Sequence, residues 1–350
     1  MTARTYLGVL LRDFPLYAVS LFGGGDSWLA VRNRAERLDP APNGSGYRCD
    51  WQWTSDLHAP KVFPGLGLRL MKRAFEDRPI VFQDAPIPNT DDIRISFIIG
   101  HRGPERLPHL LATLKSIAAQ RDVAAECIVV EQSAAPEIER AIPDWVRYIH
   151  TPLPYPDMPY CRSWAFNVGA RAARGRMLVL HDNDMLVPRD YASEIMKHFK
   201  EGYEVINLKR FIFYLTESHS GRIFYSGKPE LDQSPQAIVQ NLEAGGSLAV
   251  CRMAYFEIGG FDESFIGWGG EDNEFWERAQ TRKVWPYGYL PIIHLLHTPQ
   301  VEKIRPERAT SALFLERSKL QVGTRIKELA VADFGNPLRP AGMDKQPVKR

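Results

Sequence analysis

From Ile93 onward the hydrophobic positions along the chain change period in a regular way. Residues 94–100, RISFIIG, form a short β-branched run. Residues 105–120, ERLPHLLATLKSIAAQ, then place Leu107, Leu110, Leu111, Leu114, Ile117 and Ala118 at helical spacing. The runs ECIVVE (126–131), VRYIH (146–150) and RMLVLHD (176–182) read as further strands, and CRSWAFNVGARAARG (161–175) reads as a helix closed by Gly175. Strands alternating with helices predict an α/β fold whose mainly parallel sheet is covered on both faces. In such sheets ligands gather at the carboxyl ends of the strands.

The flanks follow other patterns. Residues 1–92 are rich in aromatics (Tyr6, Phe14, Tyr17, Trp28, Tyr47, Trp51, Trp53) and are interrupted by Gly23-Gly24-Gly25 and by the Pro, Asn, Gly and Ser residues of 40–46. That composition predicts a small N-terminal β-rich region of short strands and turns, whose aromatics suggest packing ahead of a platform for an acceptor. The stretch DAPIPNTDD (84–92) reads as a linker, 93–305 as the α/β domain, and 306–350 as a C-terminal helix and flexible tail.

Composition narrows the function classes. Lys and Arg number 44 against 42 Asp and Glu, so no broad basic field calls for nucleic acid. The four cysteines are far apart with no CxxC pair, which fits reduced thiols and a cytoplasmic protein. The apolar stretch YLGVLLRDFPLYAVSLFGG is broken by Arg12, Asp13 and Pro15, too short and too charged for a transmembrane segment or a signal sequence. Peripheral association with a membrane stays open.

Candidate chemistry begins at HDNDM (181–185), where a strand ends in Asp182 and Asp184. Acids make up 42 of 350 residues, so about five acid-x-acid triplets are expected by chance, and the pair alone is as well explained by a polar loop. A second cluster, FIGWGGEDNEFWERA (265–279), puts Glu271, Asp272 and Glu274 in the first turn of a helix. Helix-dipole compensation accounts for acids there but not for the glycine-rich approach Gly267-Trp268-Gly269-Gly270. Further on, IIHLLHTPQ supplies His294 and His297. A histidine downstream of a carboxylate pair can complete a mixed oxygen and nitrogen metal site.

Taken together, the strand ending in HRG, the strand ending in Glu131, the RSWAFNVGARAARGRMLVLHDND block, AGGSLAVCRMAYFEIGGFDESF, GWGGED and the following His resemble a known family in their order. Residues Ile93 to Gln300 resemble a GT-A nucleotide-sugar glycosyltransferase of the family-2 kind. GWGGEDNEF is similar to the galactosyltransferase-type motif of β-1,4-galactosyltransferases and bacterial chondroitin-type polymerases. The resemblance implies a UDP-sugar donor, a glycan or glycoconjugate acceptor, and a role in bacterial polysaccharide or glycoconjugate synthesis. It implies Asp184 and His297 as metal ligands, Asp182 on ribose or metal, and His294 as a further ligand or a structural histidine. A nitrogen among carboxylates favours Mn2+, with Mg2+ as the other choice. Arg102 is implied at phosphate or uracil, Glu131 at the uracil N–H, and Asn167 at the donor. Gly245 and Gly246 are implied close to the sugar, Glu271 at its hydroxyls, and Trp268 under the acceptor ring or in the core. Asp272 is the implied general base of an inverting transfer, because related retaining enzymes carry Asn there.

Two other readings remain at this point. One is a retaining transferase on the same fold, and the other is a non-catalytic carbohydrate-binding or assembly protein that needs neither base nor metal.

Overall fold

The computed structural model describes residues 3–50, 54–87, 92–241, 245–298 and 309–341. Trp51 and Trp53, part of the expected linker (88–91) and the tail 342–350 lie outside the described residues. The N-terminal stretch carries the expected short strands and turns, and helices besides. It opens with α1 (Ala3–Gly8), a π-helical turn (Val9–Asp13) and α2 (Phe14–Phe22). Leu7, Leu10, Leu11 and Phe14 recur at helical rather than alternating spacing, which is why this run coils. Next come β1 (Leu38–Pro40) and β2 (Tyr47–Cys49), an antiparallel pair across the Asn43-Gly44-Ser45 turn, then β3 (Thr54–Asp56), α3 (His58–Val62) and α4 (Pro64–Glu76).

The α/β body follows as the periodicity predicts. Its first half comprises β4 (Ile95–His101), α5 (Leu107–Ala118), β5 (Ala125–Ser133), β6 (Arg147–Pro152), α6 (Arg162–Ala172), β7 (Met177–His181), β8 (Met185–Leu186) and α7 (Tyr191–Lys200). The second half holds β9 (Val205–Ile206), β10 (Lys209–Tyr214), α8 (Glu217–Ser226), β11 (Ala237–Asn241), β12 (Ser247–Cys251), α9 (Arg252–Glu257), α10 (Glu271–Ala279), β13 (Val284–Trp285) and β14 (Leu290–His294). Two helices, Ser311–Arg317 and Val322–Ala330, close the described chain.

A seven-stranded sheet runs in the order β13-β9-β12-β7-β4-β5-β6. Strands β7, β4, β5 and β6 are parallel, and β12 is inserted antiparallel between β7 and β9. Burial on both faces explains the continuous apolar runs. Phe97, Val129 and Val179 point into one core, while Ile98, Val130 and Leu180 point into the other.

A second sheet, β3-β11-β10-β14-β8, is what completes the site. Here β14 pairs with β8 so that His294 lies opposite Met185, and the Leu295 N–H donates to the Asp184 carbonyl at 2.9 Å. The segment after β7 is thereby stitched to the segment that brings the histidines. N-terminal β3 is the edge strand of this same sheet, so residues 1–92 and the α/β body pack together. The C-terminal segment is also held: Arg325 is buried among Glu274 and Glu277, and the Gly335 N–H donates to Glu263 at 2.7 Å.

Helix α6 approaches β4 closely because Gly169 has no side chain. A Cβ there would lie 2.3 Å from Ile98 Cγ2. Gly169→Ala should therefore lose about 1–3 kcal/mol despite alanine's better helix propensity. In an Ile98→Ala background, where the obstructing methyl is gone, the same change should cost much less. Urea titrations of the four proteins check this, and equal costs in both backgrounds would disprove the contact.

Candidate active site

The carboxyl ends of β4 and β7 and the amino end of α10 open into one cleft. It is lined by Arg102, Arg106, Arg162, Asp182, Asp184, Trp268, Glu271, Asp272, His294 and His297, together with glycines and the rings of Tyr160 and Phe166. Residues separated by more than a hundred positions in sequence meet here because parallel strands deliver their loops to one edge.

At one side Asp184, His294 and His297 form a cluster whose ligand atoms all lie within 4.8 Å of one another. His297 Nε2 is 3.3 Å from Asp184 Oδ2, and His294 Nε2 is 3.8 Å from Asp184 Oδ1. The donor set fits a divalent cation. The His297 Nδ1–H can donate to the Thr298 carbonyl at 2.7 Å, which leaves Nε2 as the lone pair facing Asp184. Asp184 Oδ1 is buried without a hydrogen-bond partner. The His294 ring is held by stacking on Tyr214 at 4.2 Å. Arg106 Nη2 donates to Asp184 Oδ2 at 2.5 Å and to Asn183 at 3.1 Å, and its Nε and Nη1 are buried and unpaired. Burial alone would raise the Asp184 carboxyl, but His294, Arg106 and His297 outweigh it and hold it below its ordinary value. Burial also lowers His297.

Across the cleft one arginine joins three acids. Arg162 donates to Asp182 Oδ1 from Nε at 2.8 Å and Nη2 at 2.6 Å, and its Nη1 donates to Asp272 Oδ1 and lies 3.7 Å from Glu271. The guanidinium stacks on Phe166 at 4.5 Å. The N-cap of α10 is Gly270, with φ +90° and no side-chain cap. A Cβ there would stand 2.7 Å from Phe314, so glycine is required by both backbone and space. Asp272 is thus bound to Arg162 across the cleft rather than spent on capping its own helix.

The remaining expected residues are placed as follows. Arg102 reaches the cleft edge, donating to the carbonyls of Gln132 (3.0 Å) and Met158 (2.7 Å). Trp268 is 40% exposed at the mouth, where its backbone carbonyl accepts from Thr310. Gly246, with φ +80°, accepts from the Asp182 N–H at 2.8 Å and faces Met185, so it shapes the β7 loop from behind. Gly245 precedes it in the same bend.

Two residues are set apart from the cleft. Glu131 is fully buried and accepts from Tyr148, Ser133 and the N–H groups of Glu137 and Ile138, which outweigh burial and lower its pKa. Asn167 donates to Phe261 and Glu263 and accepts from Tyr255 and the Phe261 N–H, which uses every hydrogen-bonding group of its amide. Neither residue lines the cleft, and the polar groups of both are engaged in these internal bonds. Arg106 and Arg162 were not singled out in the sequence. Arg162 carried a signal, since a cation at the first position of a helix opposes the dipole and calls for acids nearby.

Burial pushes Glu271 up to about 7 and Asp182 up to about 6, with neighbouring carboxylates adding to the rise and Arg162 opposing it. An acid whose folded pKa is raised keeps its proton longer in the folded chain. Its contribution to stability is then greatest below the ordinary carboxylate range and declines as pH climbs through the folded value. Glu271→Gln should gain stability relative to the parent as pH rises from about 4.5 to about 7. Urea midpoints across that range check the sign, and a constant difference would remove Glu271 as the titrating group.

Two family comparisons bear on this geometry. The sequence model described as glycosyl transferase family 2 matches residues 105–258, and the one described as N-terminal domain of galactosyltransferase matches residues 239–293. No curated protein matches the chain. Among solved structures, the catalytic domain of Drosophila β1,4-galactosyltransferase 7 in complex with xylobiose is 15% identical with a TM-score of 0.34, covering 61% of this chain and 78% of that one. A mutant of the same Drosophila enzyme, in complex with manganese, UDP-Gal and xylobiose, also aligns at 15% identity and TM-score 0.34, over 56% of this chain and 64% of its own. The matched segments overlap and run from the loop after β4 into β14, taking in Asp182, Asp184, the glycine-rich approach, Glu271 and Asp272 and ending one residue before His294, and the chain is a glycosyltransferase of the family-2-like, galactosyltransferase type on a GT-A fold.

Proposed function

We propose that the chain transfers a sugar from a UDP-sugar to a hydroxyl of a glycan or glycoconjugate acceptor with inversion at the anomeric carbon, in polysaccharide or glycoconjugate synthesis. The observation that carries this reading is the convergence of the Asp184, His294 and His297 cluster with Asp182, Glu271 and Asp272 in one cleft. A divalent cation, Mn2+ by its mixed nitrogen and oxygen donors, supplies Lewis-acid neutralisation of the diphosphate leaving group. Asp184 and His297 would hold it, with His294 as an adjoining donor. Arg106, with two unpaired N–H groups, and Arg102 at the cleft edge meet the phosphates or base as planar cations.

Asp182, oriented by Arg162, would meet the ribose or the metal of the bound donor. Glu271 takes the donor-sugar hydroxyls, and Trp268 offers its exposed face to the acceptor ring. Asp272, aimed into the cleft, accepts the proton as the acceptor oxygen attacks opposite the departing UDP. Glu131 and Asn167 act on this reaction only through the elements they brace. Cys49, Cys127, Cys161 and Cys251 form no disulfide, which supports a reducing cytoplasm as the setting, and among the described residues no helix is long and apolar enough to cross a membrane.

Release of UDP from UDP-sugars, measured with Mn2+ and a panel of acceptors, tests the whole reading. Chelation should abolish transfer and Mn2+ should restore it. Asp184→Asn, which keeps a partner for Arg106, should lose metal and donor binding together, and full activity in excess chelator would overturn the metal assignment.

Asp272→Asn separates a base from a structural acid. The amide still accepts from Arg162 and the helix keeps its glycine cap, so folding and donor affinity should persist. Turnover with acceptor should fall by on the order of a hundredfold or more. Normal turnover with an inverted product would place the base elsewhere.

A further inference from the structure

The first helical segment is packed on one side only. Val9 and Tyr17 are buried, and the Tyr6 ring meets Phe63 edge-on at 5.8 Å. The outward residues are also apolar: Leu7 is 56% exposed, Leu11 70% and Phe22 71%. Solvent-facing positions of an ordinary surface helix are polar, so this segment carries apolar residues on both sides.

Charge beside it identifies the partner. A groove of about 650 Å³ between this segment and α3 is lined by Arg12, Arg34, His58 and Lys61, with Asp13 the one acid in its wall. Lys61 pairs with Asp56 at 2.6 Å. Among the described residues, Arg12 and Arg34 are exposed and make no ion pair. Apolar side chains directed outward beside cations without a counter-charge are what a helix needs to lie in the plane of an anionic membrane surface, its leucines at the acyl boundary and its arginines among headgroup phosphates. A second copy of the chain is a poorer occupant. A two-fold contact through this patch would bring Arg12 and Arg34 close to their own copies.

We propose that the N-terminal helical segment docks the protein on an anionic lipid bilayer, with Leu7, Leu10, Leu11 and Phe22 inserted and Arg12 and Arg34 on the headgroups. The surface is independent of the transfer chemistry, so its test does not require activity.

The full chain is sedimented with phosphatidylcholine vesicles, with and without phosphatidylglycerol, at low and high salt. Retention should be about tenfold or more stronger on the anionic vesicles and should weaken with salt. Leu7→Glu combined with Leu11→Glu should lower retention by about tenfold or more. Arg12→Glu with Arg34→Glu should abolish the preference for phosphatidylglycerol. All four side chains are exposed, and thermal melts confirm folding. The proposal is overturned if the parent binds neither vesicle or if folded variants are retained like the parent. It is also overturned if light scattering finds a dimer that Leu11→Glu dissociates, because the face then belongs to a second copy.

Discussion

Four carboxylates, Asp182, Asp184, Glu271 and Asp272, share one partly buried cleft, and their mutual repulsion is the constraint around which the structure is arranged. Like charges at such distances are tolerated only where opposite charge is fixed among them. Arg162 is placed between Asp182 and Asp272, and Arg106 is set against Asp184. Arg106 comes from the 3-10 turn after β4 and Arg162 from the first residue of α6, both at the sheet's carboxyl edge. The close packing of α6 on β4 through Gly169 therefore matters electrostatically, because α6 begins with Arg162.

The compensation is divided in a way that suits the proposed chemistry. Asp184 faces Arg106 and two histidines and stays ionised, as a metal ligand must. On the other side burial raises Asp182 and Glu271, neighbouring carboxylates add to the rise, and one guanidinium shared among three acids does not offset it, so both hold protons more readily. Neighbouring carboxylates with separated proton affinities are the arrangement from which acid, base and ligand roles are assigned. Arg162 bonds both Asp182 and Asp272, which couples the acid at the end of β7 to the proposed base. Negative charge arriving near Arg162 competes with Asp272 for the same N–H groups.

The α/β body was legible because its signals are local. A strand buried on both faces reads as a continuous apolar run, and α5 shows its inner face in its spacing. The cleft was legible through motif order, which gathered Asp182, Asp184, Trp268, Glu271, Asp272, His294 and His297. Position in the chain did not show that Glu131 and Asn167 lie outside the cleft lining, because whether a polar group faces a cleft or a neighbour depends on residues far away: Tyr148 for one, Tyr255 and Glu263 for the other. Arg106 was invisible for the same reason. Its partner Asp184 is 78 residues distant. Residues 3–22 coil where short strands and turns were expected, because their leucines recur at helical spacing and Pro15 falls in the first turn of α2, where a helix tolerates it.

The role of the N-terminal region follows from the second sheet. Histidines 294 and 297 reach Asp184 only because β14 lies between β10 and β8. Strand β10 is braced from the N-terminal side by Arg210, a buried cation that donates to the carbonyls of Leu29 at 2.7 Å and Val31 at 2.6 Å and to the Gln240 side chain at 2.5 Å. Gln240 in turn donates to Glu36 at 2.6 Å, and β3 seals the outer edge of β11. Burial lowers Arg210 to about 10, so it remains charged at neutral pH and must keep these acceptors. Removing the first ninety or so residues would strand that charge and expose an open sheet edge two strands from His294. The N-terminal region thus holds the Asp184, His294 and His297 cluster in place from outside it.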